Sequence, residues 1–352
     1  MLYVNSGFAP RQTAYVLPGE EGEHFGLSTA PWIDLCEPTG AECAAARRGM
    51  GVSIPGEMDL SEIETSSRLS VLGDVITLST PMTYHGQDGQ SLISPLGFVL
   101  SPRQLLTVRF VQMPVFDIYC EKFAGAGKDG ASTGGASTGS ASTGAAGTGG
   151  ADKSSAGAFV GLLEAIVDRL ADVLEHVGTD LSALSTRIFQ PGGHGPQKTI
   201  SNDKSLRLTL RQVGLAGERV SNIRDSLLGL SRIVGYVADA ASGWLPPLLI
   251  GRLTTLKHDI ASLADYDNQI TNKVQFLLDA TLGFINIDQA EGIKVLTVVS
   301  LVGVPPTLIA SIYGMNFKIP ELQWDYGYAF GLTMIVLGAV LPFVWFKRQG
   351  WV

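Results

Sequence analysis

Charge is scarce in this 352-residue chain. Asp, Glu, Lys and Arg together make up 16% of it, against ~25% in ordinary soluble domains. The mean hydropathy is +0.22, so a membrane segment is the first thing to look for. What charge there is runs acidic, −8 overall, which argues against a surface built to hold nucleic acid. Cysteine is nearly absent. Cys36, Cys43 and Cys120 are too few and too scattered for a disulfide framework and suit a reducing compartment. The five histidines, His24, His85, His176, His194 and His258, stand apart with no metal-finger spacing. No Walker motif and no supported Ser/His/Asp order is present, so no enzyme and no organic cofactor is expected. The opening MLYVNSGFAPRQ has no basic stretch ahead of an apolar run, so no secretory signal peptide is expected.

The apolar surplus sits near the C-terminus. Residues 293–313 read IKVLTVVSLVGVPPTLIASIY, with Lys294 as their one charge. At 1.5 Å per residue such a helix is about 31 Å long, enough to cross a bilayer's hydrocarbon layer. Residues 328–346 (YAFGLTMIVLGAVLPFVWF) carry no charge and end on Lys347-Arg348, beside Trp345 and Trp351, the residue types of a membrane interface. A buried core helix explains one such run but not two in succession. Cations flank the outer ends of this hairpin more than its loop, which places both termini in the cytoplasm.

Residues 124–157 are of another kind: 30 of 34 are Gly, Ala, Ser or Thr, and ASTG recurs at 131–134, 136–139 and 141–144. Such a segment cannot bury enough apolar surface to offset its ordering entropy and reads as a flexible linker. Its apparent G-x-G-x-x-G and G-x-S-x-G matches follow from the repetition. Ahead of it, 1–123 reads as mixed α/β, with strands at 32–35, 75–80, 98–100 and 105–111. A helix is expected over 59–69, capped by Asp59 with Glu62 three residues on. Behind it, 158–188 and 203–236 carry Leu and Ile at helical spacing.

From residue 256 an apolar seam runs Leu256, Ile260, Leu263, Asp267, Ile270, Val274, Leu277, Thr281, Phe284 and Asp288, in alternating steps of four and three. The period of 3.5 predicts one continuous helix over about 250–312, packed on copies of itself or on the preceding helices. Pro305-Pro306 falls inside it and should bend it or loosen its hydrogen bonding.

Tyr313-Gly314-Met315-Asn316-Phe317, directly after a spanning run, resembles the signature of the CorA family of magnesium channels. PPTLIASIYGMNF (305–317), IPEL (319–322) and FKRQGW (346–351) fit in order. FLLDATLGFINIDQ (276–289) looks like the family's stalk. LLEAIVDRLADVLE (162–175), with 32–35, 37–39 and 62–69, looks like its cytoplasmic domain. The resemblance covers most of the chain except 124–157. It implies an α+β cytoplasmic domain (1–123), the linker, a long-helix domain and stalk (158–290), a first transmembrane helix (291–313), the GMN loop (314–327), a second transmembrane helix (328–346) and a cytoplasmic tail (347–352). It also implies a homopentamer in the cell inner membrane, in contact with lipid, whose first spans line a pore for Mg²⁺ and also Co²⁺ or Ni²⁺, closed by internal Mg²⁺.

The physics of Mg²⁺ suits these residues. The ion sheds water reluctantly, and a ring of Asn316 amides can bind its hydration shell without stripping it. Gly314 allows a tight turn. Glu321 raises local cation concentration or is only a solvated loop charge, and Asn316 could equally be a helix C-cap. By resemblance the pore-facing positions are Leu296, Val304, Thr307 and Ser311, the first two as apolar gating rings and the last two as hydroxyls. Where the family often has Asn after Gln, this chain has Ala290, followed by Glu291 and Gly292, so a polar ring is lost or moves to Asp288 or Glu291. Regulatory Mg²⁺ is expected between carboxylates of neighbouring subunits, from Asp259, Asp265 and Asp267 on the stalk and Glu62, Glu64 or Asp74 on the first domain; ordinary surface acids are the alternative for each. Two other functions fit the architecture, a ZntB-like Zn²⁺ transporter and a non-conducting membrane-anchored scaffold.

Overall fold

The computed structural model describes residues 1–7, 11–14, 27–62, 68–86, 90–125, 152–189, 203–316 and 324–351. Of the expected site residues, Glu64, Phe317 and Glu321 lie outside these, as do 126–151 of the Gly/Ala/Ser/Thr segment. The chain divides into two compact units. The first is Met1–Ser185 with Val213–Gln275, and the second is Thr186–Gln212 with Phe276–Val352.

The first unit is built on a seven-stranded sheet of order β2-β1-β3-β7-β6-β5-β4. Its strands are β1 (Leu2–Asn5), β2 (Gln12–Ala14), β3 (Trp32–Cys36), β4 (Leu69–Leu72), β5 (Val75–His85), β6 (Ser91–Leu100) and β7 (Leu105–Arg109). Among the described strands only β3 and β7 pair in parallel. They lie inside the sheet and all ten of their residues are buried, which is why they read in sequence as near-continuous apolar runs.

Alternation along β3 sends Ile33 and Leu35 to one face, into a core with Leu2, Val4, Val99, Leu106 and Val108. Helices α1 (Gly40–Met50) and α2 (Glu57–Ser61) cover this face through Ala46 and Leu60. Thr39 caps α1 in a reciprocal box with Glu42, and Gly51 ends it in the left-handed region at φ 68°, where glycine avoids the Cβ penalty. The other face carries Trp32, whose ring meets Phe116, Tyr119 and Phe123 at centroid distances of 6.4, 5.6 and 5.8 Å. These three belong to α3 (Pro114–Gly125). Phe159 of α4 (Ser155–Phe189) packs edge-on to Phe98 at 5.5 Å.

Two expectations shift. The helix sought over 59–69 is the short α2, with Gly56 as its N-cap; the Asp59 carboxylate sits three residues in and accepts the Gly56 N–H at 2.9 Å. Leu69 instead opens β4, because its backbone pairs with Leu78. The described backbone also enters 124–157 from both ends, since α3 runs to Gly125 and α4 begins at Ser155.

The rest of the first unit is helical: most of α4, part of α5 (Asp203–Ala240) and the N-terminal part of α6 (Pro247–Tyr313). Of the expected seam, Leu256, Ile260, Asp267, Ile270, Val274, Leu277 and Thr281 are buried, Leu263 and Asp288 are partly buried and Phe284 is exposed; Leu249 and Leu253, ahead of it, are buried too. Its partners lie within the chain. A Cβ at Gly178 of α4 would come 2.6 Å from the Tyr266 hydroxyl oxygen, and one at Gly217 of α5 would come 3.2 Å from Val274. Small residues on α4 and α5 thus let α6 approach. Arg252 of α6 donates twice to Glu164 of α4, at 2.9 and 2.6 Å.

Gly229 of α5 lies against the sheet, because a Cβ there would be 2.0 Å from Thr80 Oγ1 and 3.0 Å from Thr80 Cβ. Alanine ordinarily favours a helix interior by about 1 kcal/mol over glycine, but this overlap forces α5 off β5. We expect Gly229→Ala to destabilise the protein by about 1–2 kcal/mol, read as a lower thermal midpoint; an unchanged or raised midpoint would show that the two elements separate freely.

Candidate functional site

The site is built by the C-terminal part of α6 and by α7 (Gly327–Arg348). Both are long and apolar enough to cross a membrane, and only 6% of the most apolar stretch of either is buried inside the chain. Core helices are mostly buried, so the core-helix alternative fails for both runs. Beyond Thr281 the surface of α6 is largely exposed and apolar, as at Val295, Leu296, Val299, Leu301, Val304 and Leu308. A surface of this extent is covered by lipid or by other protein.

Which face of α6 meets α7 can be read from one close approach. A Cβ at Gly338 of α7 would be 3.3 Å from Ile309 Cδ1, 3.6 Å from Pro305 Cβ and 3.7 Å from the Pro306 nitrogen. The partly covered positions Val302, Pro305, Pro306, Ile309 and Tyr313 form the matching stripe. Small residues at a helix crossing allow this packing in lipid, where hydrophobic pressure between helices is missing. The two prolines lack N–H groups, leaving the carbonyls of Leu301 and Val302 without their helical donors; α6 nevertheless continues to Tyr313. Gly338 gave no signal in the sequence beyond being a glycine in an apolar run.

At 100° per residue the positions Leu296, Val304, Thr307 and Ser311 fall on one stripe, centred about 170° from the face that meets α7. All four are exposed, Leu296 at 67% and Val304 at 60%. Ser300, midway between Leu296 and Val304, shares the stripe and is exposed too; spacing alone could have found it. The Thr307 hydroxyl donates to the carbonyls of Val304 at 2.9 Å and Gly303 at 3.1 Å. Its proton is thereby turned to the backbone and its oxygen is left to accept, which suits the water hydrogens a hydrated cation presents.

The stripe ends at the turn after α6. Gly314 N–H donates to Ala310 O at 2.9 Å and Met315 N–H to Ile312 O at 3.2 Å. A Cβ on Gly314 would sit 3.2 Å from the Ala310 carbonyl oxygen, so the turn is tight. Backbone groups of Gly314 and Met315 close the helix, and Asn316 takes no part in the cap. Asn316 is exposed, and among the described residues no hydrogen bond engages its side-chain amide. Tyr313 is partly buried and Met315 half exposed. At the other end of the apolar stretch Ala290 and Glu291 are exposed and Asp288 is partly buried.

The expected regulatory carboxylates separate. Glu62, Asp74, Asp259 and Asp265 are exposed. Asp267 is not: its side chain is 1% exposed and its Oδ2 accepts the Arg224 Nε–H at 2.7 Å. Burial raises its pKa above the ordinary aspartate value despite the guanidinium, which pulls the other way. A carboxylate buried against its own chain's arginine is withdrawn from any set facing a neighbour. Among the described residues no group of three or more His, Cys, Asp or Glu comes together to hold a metal.

A family profile described as "CorA-like Mg2+ transporter protein" matches residues 28–348. The magnesium transport protein CorA of Haemophilus ducreyi is 30% identical over 333 residues, covering 94% of this chain and 95% of that one. Its namesake from Escherichia coli is 29% identical over the same shares. Among solved structures, the complete CorA magnesium transporter of Methanocaldococcus jannaschii superposes with a TM-score of 0.70 at 17% identity, over 100% of this chain and 98% of that one. The full-length CmaX protein does so with 0.62 at 15% identity, over 99% and 97%. The α+β domain, the long helices and the apolar hairpin are therefore one known fold, and the chain belongs to the CorA-like Mg²⁺ transporter family.

Proposed function

We propose that this chain is the subunit of a membrane pore through which Mg²⁺ enters the cytoplasm. The observation that carries the reading is the α6 stripe from Leu296 to Ser311, which faces away from α7 and leads to the unengaged Asn316 amide. Copies arranged with these stripes inward, five as the family resemblance implies, enclose a path with apolar rings at Leu296 and Val304. Thr307 and Ser311 supply hydroxyls above them, and a ring of Asn316 amides forms the mouth. Apolar rings gate by dewetting, and amide oxygens accept from the hydration shell without displacing it. The reading extends to Phe317 and Glu321 as neighbours of that mouth, to Co²⁺ and Ni²⁺ as further cargo, and to the inner membrane with both termini cytoplasmic.

An inside-negative potential drives the ion inward by ~2.3 kcal/mol per charge per 100 mV, hence about twice that for a divalent cation. Closure by internal Mg²⁺ belongs to the same proposal. The exposed Asp259, Asp265, Glu62 and Asp74 are the carboxylates available to bridge neighbouring subunits, so that losing the ion frees repelling charges.

Growth of a host lacking Mg²⁺ uptake, in limiting Mg²⁺, tests the function. Expression of this chain restores growth if the reading holds. Failure to restore growth, with a changed tolerance to Zn²⁺, would instead assign a zinc transporter on the same architecture.

A further inference from the structure

The end of α7 carries donors that its own helix does not use. The last carbonyls of a helix lack intrahelical partners, and nearby Lys or Arg side chains often bond them. Here the backbone does so instead. Gly350 stands in the left-handed region at φ 72°. Its N–H donates to Lys347 O at 3.3 Å, and the Trp351 N–H reaches back to Phe346 O at 3.1 Å. The Trp351 ring packs on Phe346 at a centroid distance of 5.5 Å, the apolar contact that accompanies such a closure. Lys347 and Arg348 are exposed, and among the described residues neither side chain has a hydrogen bond or a carboxylate partner. The Trp345 indole N–H is likewise unengaged.

Trp345 and Arg348 share a groove. With Leu341, Pro342 and Val344 they line an open volume of about 500 Å³, within the ~300–1,000 Å³ of ligand pockets. From Leu341 to Arg348 it runs about 10 Å along the helix, from apolar side chains to one guanidinium. Leu341, Val344 and Arg348 lie about a quarter turn round α7 from Gly338, off the face that meets α6. Leu341 and Trp345 are 65% and 58% exposed, so the groove opens outward from the chain. The 22 residues of α7 span about 33 Å, which puts Arg348 at headgroup depth beside a ~30 Å hydrocarbon layer.

An apolar wall that ends on an unpaired guanidinium and an indole N–H matches a molecule with an acyl chain at one end and an anionic oxygen at the other. We propose that this groove binds one anionic phospholipid of the surrounding bilayer. Its phosphate accepts from the Arg348 guanidinium and the Trp345 N–H, and its acyl chain lies on Leu341 and Val344. A guanidinium matches phosphate in geometry as well as charge. A zwitterionic lipid offers the same phosphate but brings its own cation, which Arg348 and Lys347 repel. The chain's net charge of −8 supplies no general attraction to an anionic surface, so a preference for anionic lipid has to arise locally. The proposal needs α7 to span a bilayer and does not depend on conduction.

The test uses full-length protein in neutral detergent, titrated with phosphatidylglycerol and separately with phosphatidylcholine of the same acyl chains, bound lipid being counted by native mass spectrometry. Saturable binding of phosphatidylglycerol is expected, about fivefold or more tighter than that of phosphatidylcholine. Arg348→Gln should bring the two lipids level. Arg348→Lys keeps the charge but not the planar fork, so it should keep part of the preference. Trp345→Phe keeps an aromatic wall without the N–H and should lower phosphatidylglycerol affinity severalfold. Lys347→Gln, which removes a cation outside the groove, should leave the preference within about twofold. The polar groups changed have no partner in the chain, so thermal midpoints without lipid should match the wild type's, which separates lost binding from lost folding. Equal wild-type affinity for the two lipids would leave an apolar groove with no choice of headgroup. Equal losses in Arg348→Gln and Lys347→Gln would show a diffuse attraction to the membrane surface. Either result would overturn the proposal.

Discussion

Asn316→Ala is expected to abolish growth rescue and to cut Mg²⁺ uptake about a hundredfold or more. The estimate follows from the net ~1 kcal/mol of one hydrogen bond, lost several times over in a ring that meets the ion together. Folding should be untouched. Asn316 is exposed, Gly314 and Met315 close the end of α6 without it, and no described residue hydrogen-bonds its amide. The variant should therefore reach the membrane at wild-type level with an unchanged thermal midpoint, which separates a conduction defect from a folding defect. Asn316→Gln keeps the amide but displaces it by one methylene, so it should retain part of the activity. Undiminished uptake in Asn316→Ala would remove the amide ring from the mechanism and revive the scaffold reading.

The second large effect concerns stability and lies in the first unit. Asp267 occupies a position in the apolar seam of α6, where its Oδ2 binds Arg224 and its Oδ1 is buried without a partner. Arg224 also donates to Thr271 Oγ1 at 2.7 Å and Asn268 Oδ1 at 3.2 Å, and 39% of its side chain remains exposed. The two halves of the pair are therefore not equivalent. Removing Arg224 strands a buried carboxylate, whereas removing Asp267 leaves an arginine that water can reach. We expect Arg224→Ala to cost about 2–3 kcal/mol, while Asp267→Leu, which completes the apolar seam, stays within about 1 kcal/mol of wild type or exceeds it.

The pH dependence follows from the direction of the Asp267 shift. Its pKa in the folded state is raised, so the folded chain holds this proton more tightly than the unfolded one. The group's contribution to stability is present in acid and is lost as pH rises through the raised value. Arg224→Ala removes the one cation that opposes the shift, so its deficit should shrink as pH falls from neutral toward about 5. Thermal midpoints of the purified full-length variants across that range check both statements. Equal losses in Arg224→Ala and Asp267→Leu, or an Arg224→Ala deficit independent of pH, would contradict them.

How much of this was legible in the sequence depended on how far local pattern and global packing agreed. The helix expected over about 250–312 is observed as Pro247–Tyr313, because its seam has one period and no proline before Pro305. The buried strands at Trp32–Cys36 and Leu105–Arg109 were legible because apolar residues make up most of each, Asp34, Thr107 and Arg109 being the exceptions. The short β1, β2 and β4 were not, since two lie at sheet edges and their three or four residues are too few to show a period. Asp59 was mistaken for an N-cap because its spacing to Glu62 is that of a capping box; the helix instead starts at Gly56, which has no side chain to cap with, and Asp59 supplies only the half of the box that binds the Gly56 N–H.

At the site, the proposed pore-facing positions were carried over by resemblance; helical geometry puts them on one stripe, and the close approach of Gly338 to Pro305 and Pro306 puts α7 on the opposite side of α6. Asp267 is the contrary case. Its place in the seam was visible, but Arg224, 43 residues earlier, could be paired with it only by the packing of α5 on α6.

Hydrated Mg²⁺ is proposed to cross the membrane through copies of this chain alone. The most direct measurement is Mg²⁺ entry into vesicles of purified protein that enclose a Mg²⁺ indicator and start metal-free inside. Entry faster than in protein-free vesicles, accelerating as the interior is made more negative, is the expected result. Vesicles that carry the protein and stay as impermeable to Mg²⁺ as bare lipid would contradict it.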